Sequence, residues 1–479
     1  MLTIVPDQRS RANPSVPCRL LNAFRAEVDE RVGSGDFAKR EEIALALSNE
    51  VLRADLTEAL KNLVAEHGTE DVLVDGEHFR FHASGTGTYA SLVGALEVER
   101  PTFRKVGVRN GPTVVALERA AGLVEGTTPA LANRIARGKA QDPSRDLHDD
   151  LLASHRVPPS RTTLEKKGNA IGTALHRRQA VVEAVARRAE ALPEGARTWV
   201  LGLDRTSSPM EEDLPPGTPP RPRKKPRVRK APPPVTVNYR MAFIGTVALA
   251  DADGDMLRTH RYGTTAADGP SASLHAMMQD VRRALRQDAS LRIVVVQDAA
   301  KEMWKHLTAA LDAEPSVSNW EELVDHYHAM GHLWAAAEAM EGDTHAIMSE
   351  WKAALRHDDD AIDAIAETLE HEVSRGYLPR FRIAMEKELT FITNNGARMR
   401  YASLRDAGFP IGSGVTEGAC KSFFSVRCKR SGQRWRNTGL RATLACRTLL
   451  LNGRLEHAML TLRRRDYSAH VQAAPRLAA

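Results

Sequence analysis

Cysteine is scarce in this 479-residue chain. Cys18, Cys420, Cys428 and Cys446 are the only four, and no two stand as a Cys-x-x-Cys pair. That excludes a disulfide scaffold and the spacing of a zinc ribbon. Four thiols in such a chain are expected to be small buried apolar side chains in a reducing cytoplasm. No apolar run approaches the roughly 18–20 residues of a membrane helix, so no membrane partner is expected. Met1 to Gln8 carry no basic segment leading into an apolar one, so no secretory signal is expected there. Net charge is small as well: 67 Lys and Arg against 61 Asp and Glu leave +6. Over this length the sum says little, and the placement of the charge has to be read instead.

What is present is ordinary globular material, 42% hydrophobic and 27% charged, long enough for two to four domains and at least one large core. Residues 1–70 read as an N-terminal helical region, with Leu21, Phe24, Val28 and Val32 at helical spacing. Residues 71–115 alternate short β-type runs with turn signals and predict a small antiparallel β element. Residues 116–195 return to helix. There, a break at Val157-Pro-Pro-Ser-Arg161 is followed by Thr162 and Glu165 at capping-box spacing, which predicts a helix running to about Ala191. Helix, short break, helix is compatible with a helix-turn-helix and equally with a plain helical hairpin.

Residues 196–455 have another texture. Trp199 to Asp204 is an apolar run ending in an acid. Pro209 to Pro234 holds 10 of the 25 prolines, and Arg221 to Lys230 has seven basic residues in ten, including Arg223, Lys224 and Lys225. This composition predicts an exposed, unfolded basic loop over 209–234. A strand from Tyr239, a turn at Asp251 to Asp255, a returning strand from Met256, a helix over Ala272 to Arg286 and a buried strand ending at Asp298 follow. The first strands form an antiparallel meander and the fourth runs parallel to the first, the strand-helix order of an RNase H-like α/β sheet. Residues 301–405 read as largely helical, about 330–405 as an all-helical, partly acidic insertion, and 456–479 as a C-terminal tail.

Three acids stand out. Asp204 and Asp298 end strands whose carboxyl ends share one sheet edge, and Glu417 opens a helix. Three clustered carboxylates repel one another unless divalent metal is bound, which suits two Mg2+ ions about 3.5–4 Å apart acting on a phosphodiester. Strand-end Asp residues are also common turn formers and helix caps. Gly418 to His457 carries nine Lys and Arg and one acid, Glu456. Lys421, Lys429, Arg430 and Arg434 are therefore candidate phosphate contacts, Lys421 one turn beyond Glu417. For Trp435, core packing competes with a place at the DNA or the active site.

Several strings resemble ISKra-type bacterial insertion-sequence transposases of the DDE superfamily. They are Gly202-Leu-Asp-Arg-Thr-Ser-Ser-Pro-Met-Glu-Glu212, Tyr239-Arg-Met-Ala-Phe-Ile-Gly-Thr-Val247 and Val295-Val-Gln-Asp-Ala299. The longest are Leu404 to Lys421, with Pro410-Ile-Gly-Ser-Gly-Val-Thr-Glu417, and Lys429 to Trp435. The resemblance spans about 70–455. The loop at 209–234 is longer and more basic than the family pattern, and the tail after Gly453 matches poorly. The resemblance implies an RNase H-like catalytic core with Asp204, Asp298 and Glu417 as catalytic and metal-binding residues, two Mg2+ ions (Mn2+ substituting) and DNA-reading helices within 120–195. It also implies double-stranded DNA partners, namely terminal inverted repeats and target DNA, a homodimer on paired ends, and a cytoplasmic, nucleoid-associated setting. Asp325 and His328 resemble the Asp-x-x-His element of Mutator-like relatives and are expected to play a supporting role. A catalytically silent DNA-binding regulator and an RNase H-like nuclease without strand transfer remain alternatives.

Overall fold

Strand and helix propensities separate cleanly along most of the chain, and the computed structural model describes residues 18–33, 35–214 and 235–475. Arg223, Lys224 and Lys225 lie outside the described residues. The chain divides into two units, each described separately. One comprises 1–135, 143–167 and 463–479, the other 136–142 and 168–462.

In the first unit, α1 (Cys18–Val32) and α2 (Phe37–His67) lead into β1 (Val72–Val74), β2 (Glu77–Ser91), β3 (Gly94–Lys105) and β4 (Thr113–Val114). Asp36 starts α2 by accepting the Lys39 N–H at 2.9 Å, which satisfies one of the first-turn donors that a helix leaves open. The long β2–β3 hairpin is antiparallel throughout, with a register shift at Phe81/Ala83. Its buried alternate residues, Tyr89, Leu96 and Val98, pack with Leu60, Leu117 and Leu123. The short helix α3 (Ala116–Ala121) follows. The C-terminal segment is not a loose tail: β10 (Val471–Ala473) pairs antiparallel with β1 and completes a sheet of order β10-β1-β2-β3-β4. Only three residues pair, too short a signal to read from sequence.

The helices that follow are α4 (Pro129–Gln141), α5 (Ser144–Ala153), α6 (Arg161–Arg177) and α7 (Gln179–Arg188). Two expectations change here. Ser160, not Thr162, serves the start of α6, its hydroxyl accepting the Thr163 N–H at 3.3 Å. The expected single helix to Ala191 breaks at Arg178, without a Gly or Pro to mark it, and the break turns Glu183 and Arg187 inward as buried residues.

The second unit is built on β5 (Thr198–Asp213), β6 (Val235–Ala250), β7 (Met256–Thr264), β8 (Arg292–Gln297) and β9 (Glu321–Val324), in spatial order β7-β6-β5-β8-β9. β5, β6 and β7 pair antiparallel, whereas β8 lies parallel to β5 and β9 parallel to β8. This mixed five-stranded sheet is flanked by α8 (Ser271–Gln287) and α9 (Lys301–Asp312). β5 runs on through Asp213, paired with β6 as far as Val235, so residues 209–213 belong to a strand and not to the expected loop. Met210, 7% exposed, is the apolar side chain that holds them. The expected helical stretch from residue 301 is interrupted by β9, whose four residues Glu-Glu-Leu-Val are too few to show a period. Ile293, Val294, Val295 and Val296 of β8 are each at most 5% exposed, each stabilising by about 1.5–3 kcal/mol.

The inserted helices are α10 (His326–Ala339), α11 (Thr344–His357), α12 (Ala361–Ser374), α13 (Pro379–Asn395) and α14 (Tyr401–Asp406). Leu333, Met348, Trp351, Ile362, Leu369 and Met385 extend the sheet's core into them. Next come α15 (Gly414–Ala419), a π-helix (Cys420–Ser425), α16 (Val426–Cys428), α17 (Asn437–Leu451) and α18 (Leu455–Leu462). No helix among the described residues is long and apolar enough to cross a membrane.

Candidate active site and its basic flank

Parallel pairing of β5 with β8 runs from Thr198↔Arg292 to Leu201↔Val295. Beyond Leu201 a side chain replaces the ladder: the buried Gln297 accepts the Leu203 N–H through Oε1 at 3.1 Å. The next residue on each strand is an acid. Asp298 follows the end of β8, but Asp204 does not end its strand as expected: β5 runs on through it to Asp213, with Asp204 opposite Ile244 of β6, because the antiparallel ladder continues past the point where the parallel one stops. Both acids are half-buried. Asp204 Oδ1 accepts the Arg205 N–H at 2.6 Å, and Asp298 Oδ1 accepts the Ala300 N–H at 3.1 Å. The Asp298 carbonyl accepts the Trp304 indole N–H at 2.7 Å, tying the strand end to the start of α9.

The helix carrying Glu417 is seated on the same sheet. Thr416 Oγ1 lies 2.8 Å from Thr246 Oγ1 on β6, and Gly202 on β5 leaves room for it, since a Cβ there would overlap Thr416 Oγ1. Three residues after Glu417, the Cys420 thiol donates to Asp204 Oδ2 at 3.0 Å. Burial pushes this thiol far above its usual range, and the charges of Asp204 and, to a smaller degree, Asp298 add to the shift. Cys420 is therefore a neutral S–H at pH 7, held on Asp204. Glu417 itself is exposed, one turn back on that helix.

The carboxylates of Asp204, Asp298 and Glu417 are not drawn to metal-ligand spacing. Among the described residues, Glu190, His260 and Asp280 form the group whose ligand atoms all lie within 4.8 Å of one another. That group already holds cations. Arg454 reaches Glu190 at 2.6 Å and Asp280 at 2.9 Å, Arg187 reaches Asp280 at 2.6 Å, and His260 Nδ1 lies 2.9 Å from Asp280. Burial alone would raise the Asp280 carboxyl, but Arg454, His260 and Arg187 outweigh it and hold it well below the carboxylate range. Guanidinium groups fill the place a metal would take, so this cluster is an internal ion network joining α7, β7, α8 and α18.

Asp325 and His328 take separate roles. Asp325, 1% exposed, caps α10 by accepting the His328 N–H at 2.6 Å, and its other oxygen accepts the Ser413 N–H. It thereby fastens the segment entering the Glu417 helix to the end of β9. The His328 ring faces His332 on the same helix, Nε2 to Nε2 at 3.3 Å.

The expected DNA contacts divide by exposure. Lys421, Lys429 and Arg434 are exposed, and Lys429 Nζ donates to Thr206 Oγ1 at 2.6 Å. Arg430 is half-buried and bonded to Gln141 O at 3.3 Å and Asp142 at 3.2 Å. Trp435 is core: it is 6% exposed, its indole donates to Cys428 O at 2.9 Å, and its backbone bridges to Pro209 and Glu211 of β5.

Cys420, Gln297, Gly202 and Arg447 were not singled out from the sequence. Gly202-x-Asp204 and Gln297-Asp298 offered a local signal, a small residue that admits the Glu417 helix near one acid and an amide that bridges the strands beside the other. Arg447, 4% exposed, had none. Its guanidinium donates to Phe423 O at 2.5 Å, Ser422 O at 2.6 Å and Ala140 O. A π-helix leaves carbonyls that an α-helical ladder would use, and Arg447 takes two of them. With Arg427 bonded to Lys139 O at 3.3 Å, three guanidiniums close the last turn of α4, the negative end of its dipole.

A scan for protein families and a search of curated proteins both find no match. Among solved structures, the Mos1 transposase paired-end complex with left transposon end is 12% identical, over 57% of this chain and 79% of that one, at a TM-score of 0.16. The Mos1 mariner paired-end complex with Mn is 13% identical over 48% and 63%, at 0.15, and the Mos1 strand transfer complex 11% identical over 57% and 78%, at 0.16. TM-scores this low carry no weight for fold or function, and the reading below rests on the chain's own residues.

Proposed function

We propose that the protein is a DDE-type DNA transposase of an insertion sequence, with Asp204, Asp298 and Glu417 as its catalytic acids in an RNase H-like core. The observation that carries this reading is the placement of Asp204 on β5, just past its parallel ladder with β8, in register with Asp298 at the end of β8, and the Cys420 thiol beyond the Glu417 helix bonded to Asp204. A five-strand order of 3-2-1-4-5, with the second strand antiparallel and the fourth and fifth parallel to the first, supports it.

The donor set fits Mg2+: the three acids offer hard oxygen ligands on separate elements. When bound, the ions supply charge neutralisation and activation of the attacking oxygen. The chain's own contribution is positioning. Backbone N–H groups of Arg205 and Ala300 fix the Asp204 and Asp298 carboxylates, while Gln297 holds the two strands at constant spacing. Exposed Glu417 closes the site from its helix, and Lys421, Lys429 and Arg434 face the phosphate backbone of terminal-repeat and target DNA. Cleavage leaves a 3′-hydroxyl at the element end, and the same groups align it on target DNA. A homodimer on paired ends follows from the need to process both ends together.

Without metal the three carboxylates repel one another, so their spacing does not separate a transposase from a catalytically silent DNA-binding regulator. Labelled terminal DNA with Mg2+ separates the readings. The transposase gives nicked and joined products that disappear in Asp298→Asn. Metal-independent binding without nicking supports the regulator, and nicking without joined product supports a nuclease.

A further inference from the structure

We infer that His328 and His332 form a binding site for a borderline-soft divalent transition ion of the Zn2+ class, separate from the acidic site. The two residues stand at i and i+4 on α10, so both rings leave the same helix face. Their Nε2 atoms lie 3.3 Å apart, with the ring planes at 71°. Two nitrogens bound at 2.0–2.1 Å to a tetrahedral ion are separated by about 3.3–3.4 Å, so the pair already has the spacing of two ligands of one ion.

The second shell is built too. His332 Nδ1 lies 2.5 Å from Glu388 Oε2 on α13, a carboxylate only 3% exposed. Phe391, one turn along α13, stacks on the His332 ring at 3.5 Å and 14°. A carboxylate on the far nitrogen fixes the tautomer that leaves the Nε2 lone pair free. With His332 protonated on Nδ1, the His328 ring now donates its Nε2 proton to that lone pair. An ion takes the place of this proton, and neutral His328 carries its hydrogen on Nδ1 instead, with no net proton release. Imidazole donors select Zn2+, Co2+, Ni2+ or Cu2+ and reject Mg2+, which prefers oxygen. Water or an added ligand completes the shell.

Glu388 sits on α13, so the His332 bond joins two helices of the insertion. α10 is also the helix whose cap, Asp325, holds the Ser413 N–H ahead of Glu417.

The test uses tag-free full-length protein and Co2+ as the probe, in excess Mg2+, reading visible d–d absorption and bound cobalt per chain after dialysis. The expected result is one Co2+ per chain in the parent and in the Asp204→Asn/Asp298→Asn double variant, lost in His328→Gln and in His332→Gln. Glu388→Gln should bind about 10–100-fold more weakly. Diethylpyrocarbonate footprinting of the parent supplies a readout that needs no variant to fold: Co2+ should protect His328 and His332. Cobalt binding retained in both histidine variants, lost with the acidic pair, or without protection of these two rings overturns the proposal. So does a parent that takes up no cobalt, which would mark the pair as one that only shares a proton.

Discussion

Single residues decide how close the Glu417 helix comes to Asp204 and Asp298. Gly202 is the clearest case, because a methyl there occupies the space of Thr416 Oγ1. Gly202→Ala is expected to displace the helix and lower cleavage by about 10²-fold, the scale of a misplacement near 1 Å, with DNA affinity unchanged in a gel-shift titration. Equal loss of cleavage and binding would mean that the whole fold, not the helix position, had failed. At this scale the sequence was partly legible. Acids at the ends of apolar runs stood out, because a charge terminating a buried strand is conspicuous. Cys420 did not, since its contact with Asp204 spans more than two hundred positions. For Trp435 both core packing and a place at the DNA were open from the sequence, and packing with Met210 and Leu440 makes it core.

Elements are held by buried arginines whose partners are mostly backbone or distant in sequence. Arg447 serves the π-helix after Glu417 and the end of α4 at once. Arg447→Met should leave carbonyls at Ser422, Phe423 and Ala140 without donors and cost at least about 3 kcal/mol, at 1–3 kcal/mol for each of the buried groups stranded. Arg447→Lys should recover part of it. Urea denaturation of the three proteins reads both numbers. The Arg187–Arg454 network gives a pH signature. Asp280 has a folded-state pKa held below its unfolded value of about 3.9. Its contribution is therefore fully present above that value and is lost as pH falls toward the folded one. Arg454→Met leaves Arg187 as the one guanidinium on buried Asp280 and should cost about 3–5 kcal/mol at pH 7. The deficit should shrink below about pH 4, where protonated Asp280 no longer needs its partner. A deficit constant from pH 7 to pH 3.5 in urea melts would contradict this. At the scale of elements, helices and the meander were legible from period and turn chemistry. The four-residue β9 and three-residue β10 were not, because neither is long enough to carry a pattern, and both depend on a partner strand distant in the chain.

Over the whole molecule, a charge sum near zero hides polarity. Acidic helices in the insertion offset the basic segment after Glu417, where Lys421, Arg434 and Arg436 remain exposed. Each phosphate contact contributes about −0.9 to the slope of log affinity against log salt. Replacing those three by Ala should flatten the slope by about 2.7 if all three contact phosphate, measured by fluorescence anisotropy across a salt series. An unchanged slope would place the DNA elsewhere. The central claim is that Asp204, Asp298 and Glu417 act together on a phosphodiester. It is tested most directly by single-turnover cleavage of labelled terminal-repeat DNA in Mg2+ by the parent and by each of Asp204→Asn, Asp298→Asn and Glu417→Gln. A loss of about 10²–10³-fold or more is expected for every one of the three, the scale of removing one preorganised group, with DNA affinity retained. Cleavage at the parental rate by any of them would contradict it.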